Sequence, residues 1–331
     1  MGRLQLSIAL TPNERTAPIL RGEVGAEGVE LTPTTSPPSE LFYRQLTFGE
    51  FDVSEMSMSS LTIATDRGRS QWCALPVFTT RFFFHTNTWV RRDAGIEQPA
   101  DLRGKRAGVP EYQQTAAVWA RGALLHEFGV APHELEWHME RTEALSHGGA
   151  TGFAPPPGLP FRRIPADRSI GEMMLTGDLE AAVHYISTPN LVDRSRVAFD
   201  DSPAVRRLFP DPVAEGVRYL RKTGLYPINH CVVVRRSLVD RHPWLPTNLF
   251  QMFQEAKAVG AARLRSLAEG HVRLGLLGAE AGPALSEDPY PYGVGANRLT
   301  LETLLAYVHE QGLASRALSL DELFAPSTMG L

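Results

Sequence analysis

Two β-rich runs of the sequence, residues 77–92 and 225–236, constrain the fold more than any other feature. Both are dense in aromatic and β-branched residues, which favour strands. Short apolar runs alternate with stretches of helical spacing before the first run and between the two runs. One α/β segment is therefore nested inside another, which predicts two lobes joined by two hinge strands. We expect a discontinuous first lobe of residues 1–90 and 225–331, and a second lobe of residues 91–224.

A central cleft between the lobes is the expected ligand site, because strand ends and helix N-termini converge there in α/β folds. The chain has 331 residues, which is long enough for two such lobes. Its net charge of −4 is mild and no basic block is present. These features argue against nucleic acid or an anionic membrane as partner. A small molecule is the expected partner.

The N-terminus and the cysteines bear on the compartment. Residues 1–18 contain only a short apolar run, without the pattern of a signal peptide, and no later run is long enough to span a membrane. Cys73 and Cys231 lie far apart and outside any metal-binding spacing, which fits a reducing compartment. We therefore expect a cytoplasmic protein. His133 and His138 do not have the spacing of a helical zinc motif, and no nucleotide-binding motif is present, so we expect neither metal nor cofactor.

Two longer segments have no simple assignment. The loop of residues 146–163 is rich in Gly and Pro and too long for an ordinary connection, which suggests a lid or an insertion. Residues 245–267 form an amphipathic helical pattern that could bury a partner subunit or pack on its own lobe. A homo-oligomer is therefore one expectation.

The stretch "FDVSEMSMSS", residues 51–60, places one carboxylate, Glu55, where a buried strand leads into a helix. A carboxylate at such a turn is poorly solvated, which suits a general acid or base. Capping of the helix is the alternative role. Ser57 and Ser59 are candidates for hydrogen bonds to a ligand beside helix-end NH groups, or for helix caps.

The hinge strands carry candidate acid–base groups. If the strand in "RFFFHTN" alternates, Arg81, Phe83 and His85 share one face, and His230 lies on the second hinge strand. Histidine suits proton transfer near neutral pH, and arginine binds carboxylates well. Structural histidines and a surface ion pair are the alternatives.

Further candidates for substrate binding lie at turns that would face the cleft. They are Tyr112, Gln113 and Thr115 in "PEYQQT", Arg15 in "NERTAP", and Tyr292 and Asn297 in "YPYGVGANR". Packing is the alternative role for each tyrosine.

The sequence resembles the 4,5-dihydroxyphthalate decarboxylase family over most of its length. The resemblance is carried by "LFYRQLTFGEFDVSEMSMSS", "PVFTTRFFFHTNTWVRRDAGIEQPADLRGKRAGVPEYQQTAAVW", "TGLYPINHCVVVRR" and "YPYGVGANR". It implies an α/β type II periplasmic-binding-protein-like fold and a decarboxylase that acts without a cofactor. Arg15 resembles an arginine that the family has at this position.

The chain departs from that family pattern at several positions. Phe84 stands before His85 where members tend to carry an arginine, and Asn229 stands before His230 where they usually have an apolar residue. The strand "AAVHYISTP" lacks an arginine expected near its end, and the 146–163 loop differs in composition. A dianionic phthalate favours two cationic partners, so these changes favour a less charged aromatic or heteroaromatic acid.

These observations predict a decarboxylase of a hydroxylated aromatic or related cyclic carboxylic acid. Arg81 and Arg15 would bind the carboxylate, His85 and His230 would transfer protons, and Glu55 would pair with a hydroxyl or tune a histidine. A solute-binding protein for a small acid is one alternative, although no export signal is visible. A different lyase on the same fold is the other.

Overall fold

The structure is a computed structural model that describes residues 2–200 and 202–331. Its strands are β1 (Leu4–Leu10), β2 (Val29–Thr35), β3 (Val53–Ser57), β4 (Trp72–Arg81), β5 (Thr88–Arg91), β6 (Arg106–Val109), β7 (Glu136–Met139), β8 (Phe161–Arg163), β9 (Ala181–Val183), β10 (Val205–Arg207) and β11 (Ile228–Arg235). Its α-helices are α1 (Ala17–Leu20), α2 (Pro38–Phe48), α3 (Met58–Asp66), α4 (Thr115–Phe128), α5 (Gly148–Thr151), α6 (Ile170–Thr176), α7 (Pro212–Thr223), α8 (Arg236–Arg241), α9 (Leu245–Arg273), α10 (Ala281–Ala284), α11 (Arg298–Glu310) and α12 (Leu320–Leu323).

The strands form two mixed sheets, which confirms the predicted α/β class. The first sheet has the order β2-β1-β3-β11-β4, and the second has the order β10-β5-β9-β6-β7-β8. In the first sheet β1 is parallel to β2 and β3, whereas β11 is antiparallel to both β3 and β4. The two β-rich runs of the sequence thus supply neighbouring strands. Strand β5, Thr88–Arg91, belongs to the second sheet.

The chain leaves the first sheet immediately after Arg81. The expectation that Arg81, Phe83 and His85 share one strand face is wrong, because residues Phe84–Asn87 form a 3₁₀ turn. Both the backbone NH and the hydroxyl of Thr86 donate to the carbonyl of Phe83, at 3.0 and 2.8 Å. These bonds close a turn where strand pairing would otherwise continue. The side chains of this segment therefore point in directions that strand alternation does not give.

A continuous apolar core connects the two sheets. It includes Phe78 of the first sheet and Trp137 of the second, and the buried helix α4 lies within it. Trp119 of α4 donates from its indole NH to the carbonyl of Ile228 at 2.8 Å, which ties the helix to β11. The long apolar side chains on α4 pack in both directions, which explains why the helix has no strongly polar face.

The segment 146–163 contains α5 and the whole of β8, so it is not an open loop throughout. Gly148 and Thr151 of α5 are buried, and α5 packs against α2 and α3. Its role as a lid stays a prediction, as does the homo-oligomer expected from residues 245–267, which lie in α9. None of the helices in residues 2–200 and 202–331 combines the length and apolar character that a membrane crossing requires.

Candidate active site

A cavity of about 430 Å³ is lined by strand residues of the first sheet and by segments that follow strands of the second sheet. Its wall comes from the ends of β3 and β4, the start of β11 and the first turn of α4, together with the segments that follow β7 and β9. Four residues predicted from the sequence line it: Ser57, Arg81, Thr115 and His230. Small-molecule sites commonly enclose about 300–1,000 Å³, so the cavity has the size of a ligand site.

His230 lies on the cavity wall with Glu55 behind it. The Nδ1 atom of His230 is 3.4 Å from Oε2 of Glu55, and its Nε2 is 2.8 Å from the amide nitrogen of Asn229. Glu55 is fully buried, and its Oε1 accepts a hydrogen bond of 2.9 Å from the backbone NH of Thr11. The position of Glu55 suits the tuning of a histidine better than direct contact with a ligand.

Aromatic rings form much of the remaining wall. Phe42 presents its edge to the His230 ring at a centroid distance of 4.6 Å. Phe82 and Phe84 also line the cavity, and Phe84 is almost completely buried. Flat apolar surfaces of this kind suit a planar ring as ligand.

The start of α4 and the start of α3 meet at the cavity. Thr115 Oγ1 accepts from the backbone NH of Ser59 at 2.9 Å and lies 2.8 Å from Ser57 Oγ. Ser59 Oγ donates to the carbonyl of Gln113 at 2.6 Å, so Ser59 is occupied by the contact between the helices. Gln114 and Thr115 at the N-terminus of α4 line the cavity. A helix N-terminus attracts negative charge, so this wall favours an anionic ligand.

Arg81 supplies a cation at the cavity wall. Its guanidinium donates to the carbonyls of Tyr226 and Pro291, at 3.3 and 3.0 Å, and to Oδ1 of Asn297. These partners are neutral, and in the described part of the chain no carboxylate contacts Arg81 directly. Burial lowers the pKa of Arg81 to about 10, which leaves the side chain charged at neutral pH. Arg81 is therefore available to a carboxylate, and Asn297 positions it.

A second charged group on the wall, centred on Arg141, was not predicted from the sequence. Arg141 Nη1 is 2.7 Å from Glu111, and its Nε and Nη2 are 2.7 and 3.2 Å from Asp193. His147 Nδ1 lies 3.1 Å from the same Glu111 oxygen that Arg141 contacts. Arg141 Nη2 also donates to Ser39 Oγ at 2.7 Å, which links this group to α2. Because Arg141 already faces two carboxylates, it has less charge to offer a ligand than Arg81.

The carboxylates of this group remain ionised in spite of their burial. Burial alone would raise the pKa of Glu111, but its contacts with His147, Arg141 and Ser146 outweigh burial and hold that pKa below the usual value. For His147 the effect of burial prevails and lowers the pKa. Arg141 is charged at neutral pH and is the cation that both carboxylates contact.

His184, directly after β9, is a further cavity residue that sequence reasoning did not select. Its ring presents an edge contact to Phe84 at a centroid distance of 5.4 Å. Burial lowers its pKa to about 4; the charges of Arg141 and His230 act in the same direction, and that of Asp193 opposes them. The imidazole is therefore neutral at pH 7. The signal in the sequence was its place at the end of a short apolar strand, where ligand residues collect in α/β folds.

His85 does not line the cavity. Its Nε2 is 3.0 Å from Oε1 of Glu215, and its ring packs against Tyr219 and Phe209 at centroid distances of 4.9 and 5.5 Å. This contact between His85 and Glu215 holds α7 against the turn that follows β4. This arrangement suits the structural alternative considered for the histidine.

Four other predicted residues, Tyr112, Gln113, Arg15 and Tyr292, lie outside the cavity lining. Tyr112 is buried beneath the guanidinium of Arg121, which lies 3.7 Å from the ring centroid. Gln113 donates to Glu111 at 2.6 Å and so supports the Arg141 group. Arg15 stacks on Tyr290 at 3.9 Å and donates to the carbonyl of Thr79 at 2.6 Å.

Tyr292 is buried under the ammonium group of Lys257, which lies 4.2 Å from its ring centroid.

In residues 2–200 and 202–331, no three His, Cys, Asp or Glu side chains are grouped closely enough to hold a metal ion.

The chain is similar to two decarboxylases along its sequence. It is 34% identical to a 4,5-dihydroxyphthalate decarboxylase of Comamonas testosteroni over 332 residues, covering 99% of this chain and 98% of the relative. It is 36% identical to a 4,5-dihydroxyphthalate decarboxylase of Pseudomonas putida over 183 residues, covering 55% of this chain and 71% of the relative. No protein-family model matches the chain.

The structure resembles a solute-binding protein at low sequence identity. The alkanesulfonate-binding protein of Xanthomonas axonopodis pv. citri superposes with a TM-score of 0.55 at 14% identity, covering 99% of this chain and 98% of the other. This likeness confirms the predicted periplasmic-binding-protein-like fold. At such low identity it shows the fold alone.

Proposed function

The chain belongs to the 4,5-dihydroxyphthalate decarboxylase family, and from this membership we propose that its cavity decarboxylates a hydroxylated aromatic acid without a cofactor. The protein is accordingly a carboxy-lyase. The observation that carries the proposal is the pair of Glu55 and His230, which opens onto a cavity that also holds the cation Arg81.

Substrate binding is assigned to Arg81 and to the N-terminus of α4. Arg81 donates to the substrate carboxylate, and the free NH groups of the first turn of α4 attract negative charge beside it. Two such features suit an aromatic ring with one or two carboxylates. We therefore take 4,5-dihydroxyphthalate and 3,4-dihydroxybenzoate as the first substrates to compare.

Proton transfer is assigned to His230. The protonated imidazole delivers its proton to the ring carbon that carries the carboxylate, while electron density from a ring hydroxyl supports this step. A C–H bond forms, the bond to the carboxylate breaks, and CO₂ departs with the ring electrons restored. Glu55 stabilises the imidazolium before transfer, and water then returns the proton to His230. Because the substrate hydroxyl and His230 supply the chemistry, the proposal requires no cofactor.

The test is CO₂ release in deuterated water from a panel of hydroxylated benzoic and phthalic acids. We expect one deuterium at the vacated ring carbon, because the proton acceptor is that carbon. His230→Gln should lower kcat by about 10²–10⁴-fold, the usual contribution of a positioned acid or base. Glu55→Gln should lower kcat less than His230→Gln does. His126→Gln, at an exposed position, is the matched control and should leave kcat unchanged.

Two outcomes would contradict the proposal. A kcat of His230→Gln within threefold of the wild-type value would show that His230 does not transfer the proton. Tight binding of these acids without CO₂ release would favour a solute-binding protein, the function that the fold also supports.

A further inference from the structure

His184 has an unusual backbone conformation. Its φ is 52°, and within residues 2–200 and 202–331 no other residue apart from glycine has a positive φ. This left-handed region is unfavourable for a residue with a Cβ, although histidine enters it more readily than most. The backbone NH of His184 is held by the carbonyl of Asn87 at 3.0 Å. Strain of this kind persists where the surroundings impose it, commonly in functional sites.

The side chain of His184 is half-buried at the cavity wall and makes no hydrogen bond to another described residue. Its Nδ1 atom is buried without a partner among the described residues. The ring lines the cavity and contacts Phe84 only through its edge. Buried polar atoms are nearly always paired, so the unpaired Nδ1 is unusual; the other ring nitrogen, Nε2, is not enclosed in this way and is the one that a ligand in the cavity can reach.

The charges around His184 decide which partner fits. Enclosure of the ring is the main effect that disfavours a positive charge on His184; the Asp193 carboxylate favours such a charge, and Arg141 and His230, which line the same cavity, oppose it. The ring is therefore neutral and carries one NH donor and one acceptor nitrogen. A hydroxyl group both donates and accepts, so it can satisfy such a ring. A carboxylate only accepts and finds better partners in Arg81.

We propose that His184 binds a ring hydroxyl of the substrate and makes the cavity select hydroxylated acids over acids that lack the hydroxyl. This inference rests on the proposed decarboxylase function and adds a specificity-determining residue to it. Arg81 then binds one end of the ring system through its carboxylate, and His184 binds another through its hydroxyl. The strained backbone places the imidazole in the cavity wall directly after β9.

Two unreactive probes separate these roles. Catechol has two hydroxyls and no carboxylate, and phthalate has two carboxylates and no hydroxyl, so neither should be decarboxylated. Dissociation constants for both would be measured by NMR titration of the wild type, His184→Gly and Arg81→Gln. We expect His184→Gly to weaken catechol binding about tenfold, the effect of one lost hydrogen bond with an unpaired partner, and to leave phthalate affinity within about twofold. Arg81→Gln should show the reverse pattern.

The variant is chosen to avoid a folding artefact. Glycine adopts positive φ without strain, so His184→Gly should retain its melting temperature. Free imidazole added to His184→Gly should restore part of the lost catechol affinity. His184→Asn, which also tolerates positive φ and keeps a short polar group, should lie between the wild type and His184→Gly. His126→Gly provides a comparison at an exposed histidine.

Equal loss of catechol and phthalate affinity in His184→Gly, or no catechol binding by the wild type, would overturn the proposal. CO₂ release from 4,5-dihydroxyphthalate is measured separately on the wild type. Selective loss of catechol binding without any CO₂ release would therefore support hydroxyl recognition by His184 while refuting the decarboxylase mechanism.

Discussion

Replacing Arg141 by methionine should destabilise the protein strongly, and the size of the effect follows from its contacts. The side chains of Arg141, Glu111 and Asp193 are 1%, 0% and 0% exposed, so the two carboxylates cannot turn to solvent when the guanidinium is removed. Removing one partner of a buried ion pair costs about 3–5 kcal/mol, because an uncompensated charge stays buried. We expect a loss of about 4 kcal/mol in the free energy of unfolding, and a melting temperature lower by about 6 °C for a chain of this length.

The dependence of this loss on pH provides a sharper test. In the wild type the pKa values of Glu111 and Asp193 lie below their usual values, so these groups stabilise the fold at neutral pH and lose that contribution as the pH falls through their folded pKa values. Without Arg141, burial raises both pKa values, and the carboxyls then destabilise the fold as the pH rises. The deficit of Arg141→Met relative to wild type should therefore shrink between pH 7 and pH 5.

Chemical denaturation at several pH values measures both quantities. Arg162→Met is a matched control, since Arg162 is 70% exposed and pairs with Glu136 at the surface. It should show no comparable loss. A deficit below about 1 kcal/mol for Arg141→Met, or one that grows in acid, would refute the assignment of buried charge to this group.

Three further outcomes are expected. Arg81→Gln should raise KM for an aromatic carboxylate at least about tenfold with a smaller change in kcat, because it removes a charged hydrogen-bond donor to the bound acid. Steady-state kinetics with an unchanged KM would contradict this prediction. His85→Gln should lower the melting temperature by weakening the contact with Glu215, while kcat stays near the wild-type value. A large loss of kcat in a folded variant would indicate that His85 takes part in catalysis. Gly122→Ala should destabilise the fold by about 1–3 kcal/mol, since the added Cβ would lie 2.2 Å from the ring of Tyr307. A denaturation curve like that of wild type would show instead that the ring moves aside.

Much of the fold could be predicted because its central strands are buried apolar runs. Strands β4 and β11 are rich in apolar residues and buried over nearly their whole length, and such runs stand out in a sequence whatever their tertiary partners. The helix α4 was equally clear, since it ends at Gly129, which has a φ of 66°. These features are local, and local patterns suffice for them.

The site was predicted only in part because cavity residues are set by long-range geometry. His230, Arg81, Ser57 and Thr115 were selected from strand ends and helix starts, and they line the cavity. His85 was selected by assuming continued strand alternation, which the turn after β4 interrupts.

Arg141 and His184 were missed for a related reason. Each follows a short strand of the second sheet, β7 or β9, and a place at a strand end is too general a signal to distinguish a cavity side chain from a surface one. Their contacts join segments as distant as Ser39 and Arg141, and a single sequence carries no pairing information of that kind.

The position of β11 between β3 and β4 has a consequence for synthesis on the ribosome. The second sheet can assemble from residues 88–207. The first sheet lacks β11, which pairs with both β3 and β4, until residues 228–235 leave the ribosome. At about 5–20 residues per second, β3 and β4 wait roughly ten to thirty seconds for the strand that joins them. During this interval both present unpaired edges to other chains. The nascent protein should therefore depend on chaperones most while residues 82–227 are being made, and truncation within that range should lead to aggregation.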